Sequence, residues 1–411
     1  MKIYEVGGAV RDSLLGVEIK ERDWVVIGSN AKELINLGYK KIGKDFPVFL
    51  HPKTKEEYSL ARKEKKIASG YHGFSFDTSS TISLEDDLLR RDLTINAIAR
   101  DNNKIVDPFN WVSDLKKKLL RHVSPAFKED PLRVIRVARF AAKFNKQGFK
   151  IAQETLELMT EMCMNGEIDT LRPERIWLET EKALATDRPD VFFTTLKECN
   201  ALKIIFPEID ALFGVPQSKK SHPEIDTGIH IMMCLKIVAE MTNDKKIRFA
   251  TLTHDLGKSL TDKNILPKHT GHEENSVHIL NNFFKKFPVP NDYKDISLDV
   301  ARFHGAVHKI NELNAEEIMQ LIEGIDGIRK PSKVSSLLIA CEADHKGRKG
   351  MGKSYYKQKD FFENIIKIIK EVKIEKISSD KKGKDIGISI RKKRKGLIEE
   401  FLYKENKNNT G

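Results

Sequence analysis

The 411-residue sequence is poor in cysteine, and its four cysteines, Cys163, Cys199, Cys234 and Cys341, stand far apart. Without a C-x-x-C pair there is no signal for a zinc knuckle or a dithiol redox motif. Four thiols in a chain this long do not make a disulfide scaffold either, so they read as reduced core residues of a cytoplasmic protein. No apolar run approaches the roughly 18 residues needed to cross a bilayer. The opening MKIYEVGG lacks the charged-then-apolar pattern of a leader, and internal repeats are absent. What the chain has in excess is positive charge, 72 Lys and Arg against 60 Asp and Glu, a formal +12. With a membrane surface set aside, that excess favours a nucleic-acid partner, although a merely soluble basic protein would carry the same charge. The length allows two to four modules with sizeable cores.

The character of the chain changes along its length. Up to about residue 110 it is strand-rich: KIYEVGG, DWVVIGS and PVFLHP are short β-branched or apolar runs bounded by turn residues. EEYSLARKE is a further candidate strand leading into a loop at IASGYHGFS. A helix follows VGGAV and stops at Gly16. LEDDLLRRDLTINAIA has apolar residues at helical spacing. From about 125 onward RVIRVARFAAKF, ETLELMTEMCM, PERIWLETEKALA and DVFFTTLKECNALKIIF all have helical periodicity. Residues 225 to 345 are helical and rich in histidine. The last stretch is Lys-rich, from KGRKGMGKSYYK through DKKGKD to RKKRKG.

Two features of the first segment carry chemistry. Gly7-Gly8 after KIYEV lets the backbone turn tightly and lets a phosphate approach main-chain N–H groups. Arg11 follows at the start of a helix, where its charge and the helix dipole both favour an anion. Then Glu21 and Asp23 lead into WVVIG. On a strand they share a face and Arg22 points away, so the two carboxylates can hold a divalent metal pair for phosphoryl transfer. An isolated E-x-D would be two solvated acids near a turn, but with Gly-Gly and Arg11 upstream the arrangement resembles that of the polymerase-β superfamily of nucleotidyltransferases. VGGAVRDSLLG with ERDWVVIG, RRDLTINAIA at 90–99 and EDPLRVIRVARF at 129–140 resemble the bacterial class II CCA-adding enzymes. YHGF, HPEIDTGIH and HDLGK extend the resemblance over nearly the whole chain, towards the γ-proteobacterial type that carries an HD module.

The resemblance implies that Glu21 and Asp23 bind Mg²⁺. The family usually has Asp-x-Asp, so Glu21, one methylene longer, is a departure. Glu57 is a candidate third acid. Gly8, Arg11, Arg91, Asp130, Arg133, Arg136 and Arg139 are implied as the nucleotide-binding residues. Arginine forks suit triphosphate oxygens. Cytosine and adenine each present an exocyclic amino donor beside a ring-nitrogen acceptor, and an Asp acceptor with an Arg donor matches that pair. Guanine and uracil present the reverse order and would leave buried groups unpaired. Asp130 and Arg133 can therefore stand in for a templating base. Arg133, Arg136 and Arg139 recur on one helix face while Val134, Val137, Ala138 and Phe140 pack inward. Glu174 and Arg175 brace this region.

His254-Asp255 lies in a helical run with His230 upstream and Asp344 downstream, the signature of HD phosphohydrolases. His230, His254, Asp255 and Asp344 would bind a transition metal, which lowers the pKa of bound water into the neutral range. His254 and Asp255 are the catalytic residues implied there. His269, His272, His304 and His308 are further polar contacts for metal or phosphate. The family implies phosphatase, 2′-nucleotidase and 2′,3′-cyclic phosphodiesterase activities, with Ni²⁺ as the metal.

The resulting expectation is an α+β fold. A polymerase-β-like nucleotidyltransferase head with a small mixed sheet occupies 1–140, a helical neck and body 141–225, an HD phosphohydrolase domain 226–345 and a basic helical tail 346–411. The resemblance further implies template-independent CCA addition from CTP and ATP to a tRNA acceptor arm, by a monomer or homodimer in the cytoplasm, with no membrane partner. Three alternatives stay open: a poly(A) polymerase sharing the head, an HD hydrolase whose head only binds nucleotide, and a tRNA-binding protein without catalysis.

Overall fold

A computed structural model describes residues 1–19, 21–42, 48–66, 74–372 and 384–408. Most of the YHGF segment, residues 71–73, and most of DKKGKD fall outside the described residues. The chain divides into one unit of Met1–Ala183 with Val191–Ile205, and a second of Leu184–Asp190 with Phe206–Gly411.

The first unit opens on β1 (Lys2–Val6), α1 (Gly8–Leu14), β2 (Asp23–Ile27), α2 (Ala31–Asn36), β3 (Lys40–Ile42), β4 (Val48–Leu50) and β5 (Glu57–Leu60). A separate hairpin, β6 (Lys63–Lys66) and β7 (Phe74–Asp77), precedes α3 (Leu84–Leu89), β8 (Ala99–Asp101) and β9 (Lys104–Val106). The main sheet has seven strands in the order β3-β4-β5-β2-β1-β8-β9 and is mixed, with β2 and β5 parallel and the other pairs antiparallel. Alternation along β2 explains why it is covered on both faces. Val25 packs with Val6, Ala61, Leu84, Leu88 and Ala99. Val26 faces the other way, onto Leu34, Phe49, Tyr58 and Leu60.

Helices follow: α4 (Val112–Lys117), α5 (Leu132–Phe144), α6 (Gln153–Met164), α7 (Pro173–Leu184), α8 (Pro189–Glu198) and α9 (Ala201–Ile205). The run DVFFTTLKECNALKIIF is thus two helices, broken where Asn200 takes φ +64°. Similarly, the periodic LEDDLLRRDLTINAIA is helical only to Leu89. A Ser83–Asp86 capping box starts α3, after which Arg90–Asp92 turn into a 3₁₀ segment at Thr94–Asn96 and then β8. Arg11 also differs from expectation. Helix α1 is only seven residues long, so Arg11 falls in its last turn rather than at its start.

Gly7 joins β1 to α1 with φ +75°, and a Cβ there would stand 3.2 Å from an Arg91 guanidinium nitrogen. Replacing Gly7 with alanine is expected to cost about 1–2 kcal/mol of stability, from the left-handed backbone and the crowding. Urea unfolding measures it, and an unchanged midpoint would contradict it.

Among its described residues the second unit has helices and no strand: α10 (Pro207–Asp210), α11 (Thr227–Met241), α12 (Lys245–Thr253), α13 (His272–Lys286), α14 (Asn291–His308), α15 (Ala315–Gly324), α16 (Pro331–Gly347), α17 (Lys357–Lys370) and α18 (Lys384–Asn408). Side chains start several of them. Asp226 accepts from Ile229 N, Asp244 from Lys246 N, and Asn314 forms a capping box with Glu317. Residues Leu256–Leu260 form a 3₁₀ turn after α12. Gly257 lets α13 pack on that turn, because a Cβ would meet the His272 carbonyl oxygen at 2.1 Å. No described helix is long and apolar enough to cross a membrane.

Candidate nucleotide pocket and histidine–aspartate centre

The first unit holds a pocket of about 720 Å³ whose lining carries ten Arg or Lys and five Asp or Glu residues. The β2–β5 pairing puts Asp23 opposite Glu57. Trp24 and Tyr58, the next pair, stack on the opposite face at 5.6 Å. Asp23 and Glu57 are therefore turned to the same side as Val25, where the end of α3 delivers Arg90 and Arg91. Glu21, Asp23 and Glu57 all line the pocket. Strand β2 begins only at Asp23, because Asp23 pairs with Val6, the last residue before the Gly7 turn. Glu21 thus reaches the pocket from the preceding loop rather than along a strand. Arg22 points away, onto buried Glu5. Burial raises the Asp23 carboxyl above its usual range, Arg91 opposes the shift and Glu21 adds to it.

The arginines are held by buried acids. Asp87, fully buried, accepts from Arg90 (Nε 2.9 Å, Nη2 2.7 Å) and from Arg91 (Nη2 3.0 Å). Burial alone would raise its carboxyl, but the two guanidinium groups outweigh it and hold it low. Asp92 accepts from Arg136 Nε at 2.8 Å, Asn96 Nδ2 at 3.0 Å and Leu93 N at 2.8 Å. Asn96 in turn accepts from Arg11. Glu179 accepts from Arg139. The Phe140 ring packs among the Arg11, Arg136 and Arg139 guanidinium carbons at 5.4, 5.7 and 4.2 Å, a stack that stiffens their placement.

Helix α5 buries Val134, Ile135, Val137, Ala138 and Ala141 and turns Arg133, Arg136, Arg139 and Lys143 to the pocket. Gly8, Arg11, Arg91 and Asp130 line the same pocket. Arg175 Nη2 donates to Asp130 at 2.9 Å, and Arg175 itself lines the pocket. Arg133, 6% exposed, donates to the Ala126 and Arg90 carbonyls, both at 2.5 Å. Sequence reasoning missed Asp87, Arg62 and Glu179. Asp92 was visible only as part of RRD.

The second unit gathers the other candidates. His230 Nε2 lies 2.7 Å from Asp344 Oδ1, and its Nδ1 is 2.8 Å from Glu224. His254 Nε2 is 3.2 Å from Asp255 Oδ2 and 3.8 Å from Asp344 Oδ2. All four predicted residues therefore meet, with each side chain nearly or fully buried. His254 Nε2 and Asp255 Oδ1 find no hydrogen-bond partner among the described residues. Buried groups of this kind are normally satisfied, and an imidazole–carboxylate set with orphaned lone pairs fits a transition metal. Burial opposes charge on His230 and His254, but Cys234 together with Asp344 and Glu224 outweighs it at His230, and Asp255 with Asp344 outweighs it at His254, so both are held above the usual imidazole range. Of the further histidines, His308 donates to Asp344 at 2.6 Å, while His272 and His304 face Asp255. His269 instead packs against Thr261 and the Pro216 carbonyl. Lys258 pairs with Asp255 Oδ2 at 2.6 Å and Cys234 Sγ lies 3.4 Å from His230 Nε2. Neither was singled out from the sequence.

A mixed-sheet unit with an acidic cluster beside an arginine-lined pocket, and a helical unit with a buried histidine–aspartate centre, define an enzyme that joins a nucleotidyltransferase head to an HD domain. Residues 3–121 match the poly A polymerase head domain, 148–213 a probable RNA- and SrmB-binding site of polymerase A, and 227–348 the HD domain. The chain is 52% identical over 381 residues to a multifunctional CCA protein of Shewanella denitrificans, covering 92% of each. It is 52% identical over 362 residues to one of Thioalkalivibrio sulfidiphilus, covering 88% of each. It belongs to the family of multifunctional CCA proteins. The fold is that of a solved CCA-adding enzyme in an apo form (TM-score 0.62, 20% identity, 98% of this chain and 91% of that one). It is shared also by a tRNA nucleotidyltransferase solved with a primer tRNA and an incoming ATP analogue (TM-score 0.58, 23% identity, 89% and 96%).

Proposed function

We propose that the first unit adds C, C and A to the 3′ end of tRNA from CTP and ATP without a template. One observation carries this reading: a single pocket holds three carboxylates, Glu21, Asp23 and Glu57, together with the Asp130–Arg133 pair and ten cations. The tRNA 3′-hydroxyl attacks the α-phosphorus of the incoming nucleotide. A bond forms from 3′-oxygen to phosphorus, the bond to the β-phosphate oxygen breaks, and the hydroxyl proton is lost as pyrophosphate departs. Arg11, Arg91, Arg136 and Arg139 hold the triphosphate, on supports that Asp87, Asp92, Asn96 and Glu179 fix in advance. The three carboxylates suit Mg²⁺, a hard cation that takes oxygen ligands, and which when bound would activate the 3′-oxygen and neutralise the leaving charge. Asp130 and Arg133 read the base edge, and their own protein partners keep that edge fixed.

The test supplies full-length protein with tRNA lacking CCA and one nucleotide at a time. CTP and then ATP should be incorporated, and UTP and GTP refused. Long A runs on generic RNA without CTP would favour a poly(A) polymerase, and no turnover of any nucleotide a binding protein. Arg175→Ala frees the Asp130 carboxylate, and should raise the KM for CTP about tenfold or more and narrow the discrimination against UTP. An unchanged CTP/UTP ratio would remove Asp130 from base selection.

The second unit is assigned a phosphohydrolase activity on the strength of the buried, unpartnered His254 Nε2 and Asp255 Oδ1. Phosphatase, 2′-nucleotidase and 2′,3′-cyclic phosphodiesterase substrates are the class to assay. His230, His254, Asp255 and Asp344 would hold a transition metal such as Ni²⁺, which when bound supplies an acidified water near neutral pH.

A further inference from the structure

We infer that Glu5, on the sheet face opposite the pocket, is a positioning residue for the metal-binding acids. Through Arg22 it fixes Glu21 at the pocket, beyond the point where strand pairing ends. This role rests on the nucleotidyl-transfer reading above and deepens it, by naming what holds Glu21 beside Asp23.

Strand β1 reads Lys2-Ile3-Tyr4-Glu5-Val6, and its last two residues are buried. Alternation sends Tyr4 and Val6 to one side and Ile3 and Glu5 to the other. Tyr4 and Val6 belong to the cluster around Val25, and Ile3 to the one around Val26. Asp23 stands opposite Val6 and shares its side, whereas Glu5 stands opposite Trp24 on one neighbouring strand and Arg100 on the other. The Glu5 carboxylate therefore emerges on the Trp24 face, away from Asp23.

A carboxylate that is 2% exposed costs free energy unless it is paired. Two guanidinium groups pair this one. Arg22 Nη1 donates to Oε1 at 2.5 Å, and Arg100 Nη1 lies 3.4 Å from Oε2. For packing alone an apolar residue would serve at least as well, because a buried ion pair gains little over a hydrophobic one of similar volume. What an apolar residue could not do is hold Arg22.

That hold acts where the β-ladder gives none. Strand β2 starts at Asp23, whose partner Val6 is the last residue of β1. Gly7 then turns the chain into α1, so the register of the two strands stops short of Glu21 and Arg22. Both are exposed, and an exposed segment without ladder pairing loses conformational freedom only if a side chain ties it down. Arg22 is the tie. With its guanidinium on the far face of the sheet, its two neighbours turn to the near one, where Glu21 and Asp23 both line the pocket. Glu5 thus reaches the metal-binding acids without touching them.

The experiment compares full-length, chelator-treated wild type with Arg22→Ala, Glu5→Gln, the double variant and Asp23→Ala. Mn²⁺ alone is titrated into each, and the free ion is read from its electron paramagnetic resonance spectrum. Ions held by the helical unit bind in every protein, so the binding lost in D23A belongs to the head. R22A and E5Q should each weaken that binding about tenfold, the lower end of the effect of groups that orient metal ligands, because the Arg22 side chain is 42% exposed. The double variant should be no weaker than R22A, since Glu5 acts through Arg22. The Mg²⁺ requirement of CTP addition should rise by the same factor, and at saturating Mg²⁺ the rate should recover with the KM for CTP unchanged. A merely structural pair would lower the melting temperature and leave the metal dependence alone. Head affinity for Mn²⁺ within twofold of wild type in R22A would overturn the role of Glu5, and so would a double variant about tenfold weaker than R22A. Arg22 is the exposed end of the pair, so R22A keeps the test open if E5Q does not fold. Weakened Mn²⁺ binding in R22A with no CTP addition by the wild type overturns the nucleotidyl-transfer reading and upholds the tether; CTP addition with unmoved Mn²⁺ binding in R22A does the reverse.

Discussion

Replacing Asp23 with alanine should reduce CTP incorporation on the order of 10³-fold or more while leaving phosphate-ester hydrolysis by the helical unit intact. The loss should fall on kcat rather than KM. Ten cations line the pocket, and removing one carboxylate takes nothing from the groups that grip a triphosphate. What disappears is charge needed as the reaction proceeds, and an interaction made in the transition state lowers kcat when it is lost. The fold should not suffer. Burial and Glu21 push the Asp23 carboxyl up against the pull of Arg91, so the ionised group opposes folding at neutral pH. D23A should therefore melt at the wild-type temperature or above it, a site where function is kept at some expense of stability. Single-turnover CTP addition and thermal unfolding measure the two effects. Incorporation within tenfold of wild type would take the metal from Asp23.

Much of this centre was legible because its residues are local. Arg11, Asp23 and the Arg133–Arg136–Arg139 face each lie on a single element, and Gly7 marks the turn between two adjacent ones. The supports were not legible, because each joins elements remote along the chain. Arg139 finds Glu179, Arg136 finds Asp92 and Asp130 finds Arg175, separations of 40, 44 and 45 residues. Asp87 is the clearest omission. Within α3 it looks like one acid among Glu85, Asp86 and Asp87, and only the burial of α3 against the sheet distinguishes it. Glu21 shows the opposite error. Spacing placed it on a strand, but a strand lasts only while it has a partner, and β1 ends where Gly7 turns.

In the helical unit the four residues His230, His254, Asp255 and Asp344 do converge. The histidines at 272 and 304 could be named beforehand only as general contacts. Their orientation depends on which backbone carbonyl each Nδ1 meets, and that follows from how α13 and α14 pack. No periodicity encodes it.

Asp92→Asn should be the most damaging change that touches no reacting atom. One carboxylate holds Arg136 directly and Arg11 through Asn96. An amide has a single acceptor oxygen, and it would set N–H donors against Arg136, Asn96 or Leu93. Breaking a fully buried ion pair costs about 3–5 kcal/mol. Arg136 is one-third exposed, with a side-chain accessibility of 35%, so solvent reduces the expected cost to about 2 kcal/mol. Misplaced arginines should lower CTP addition about 10²-fold. The pH dependence identifies the cause. Burial tends to raise the Asp92 carboxyl, but Arg136 and the hydrogen bonds from Asn96 and Leu93 outweigh it and hold it well below the usual carboxylate range. A depressed acid stabilises the fold fully above its unfolded pKa, about 4, and that contribution is lost as pH falls from there towards the folded value. Urea unfolding between pH 7 and pH 3 should show a steeper acid-side loss in the wild type than in D92N, so that the two stabilities converge at low pH. Parallel curves over that range would mean that Asp92 is not the charged anchor of this pocket.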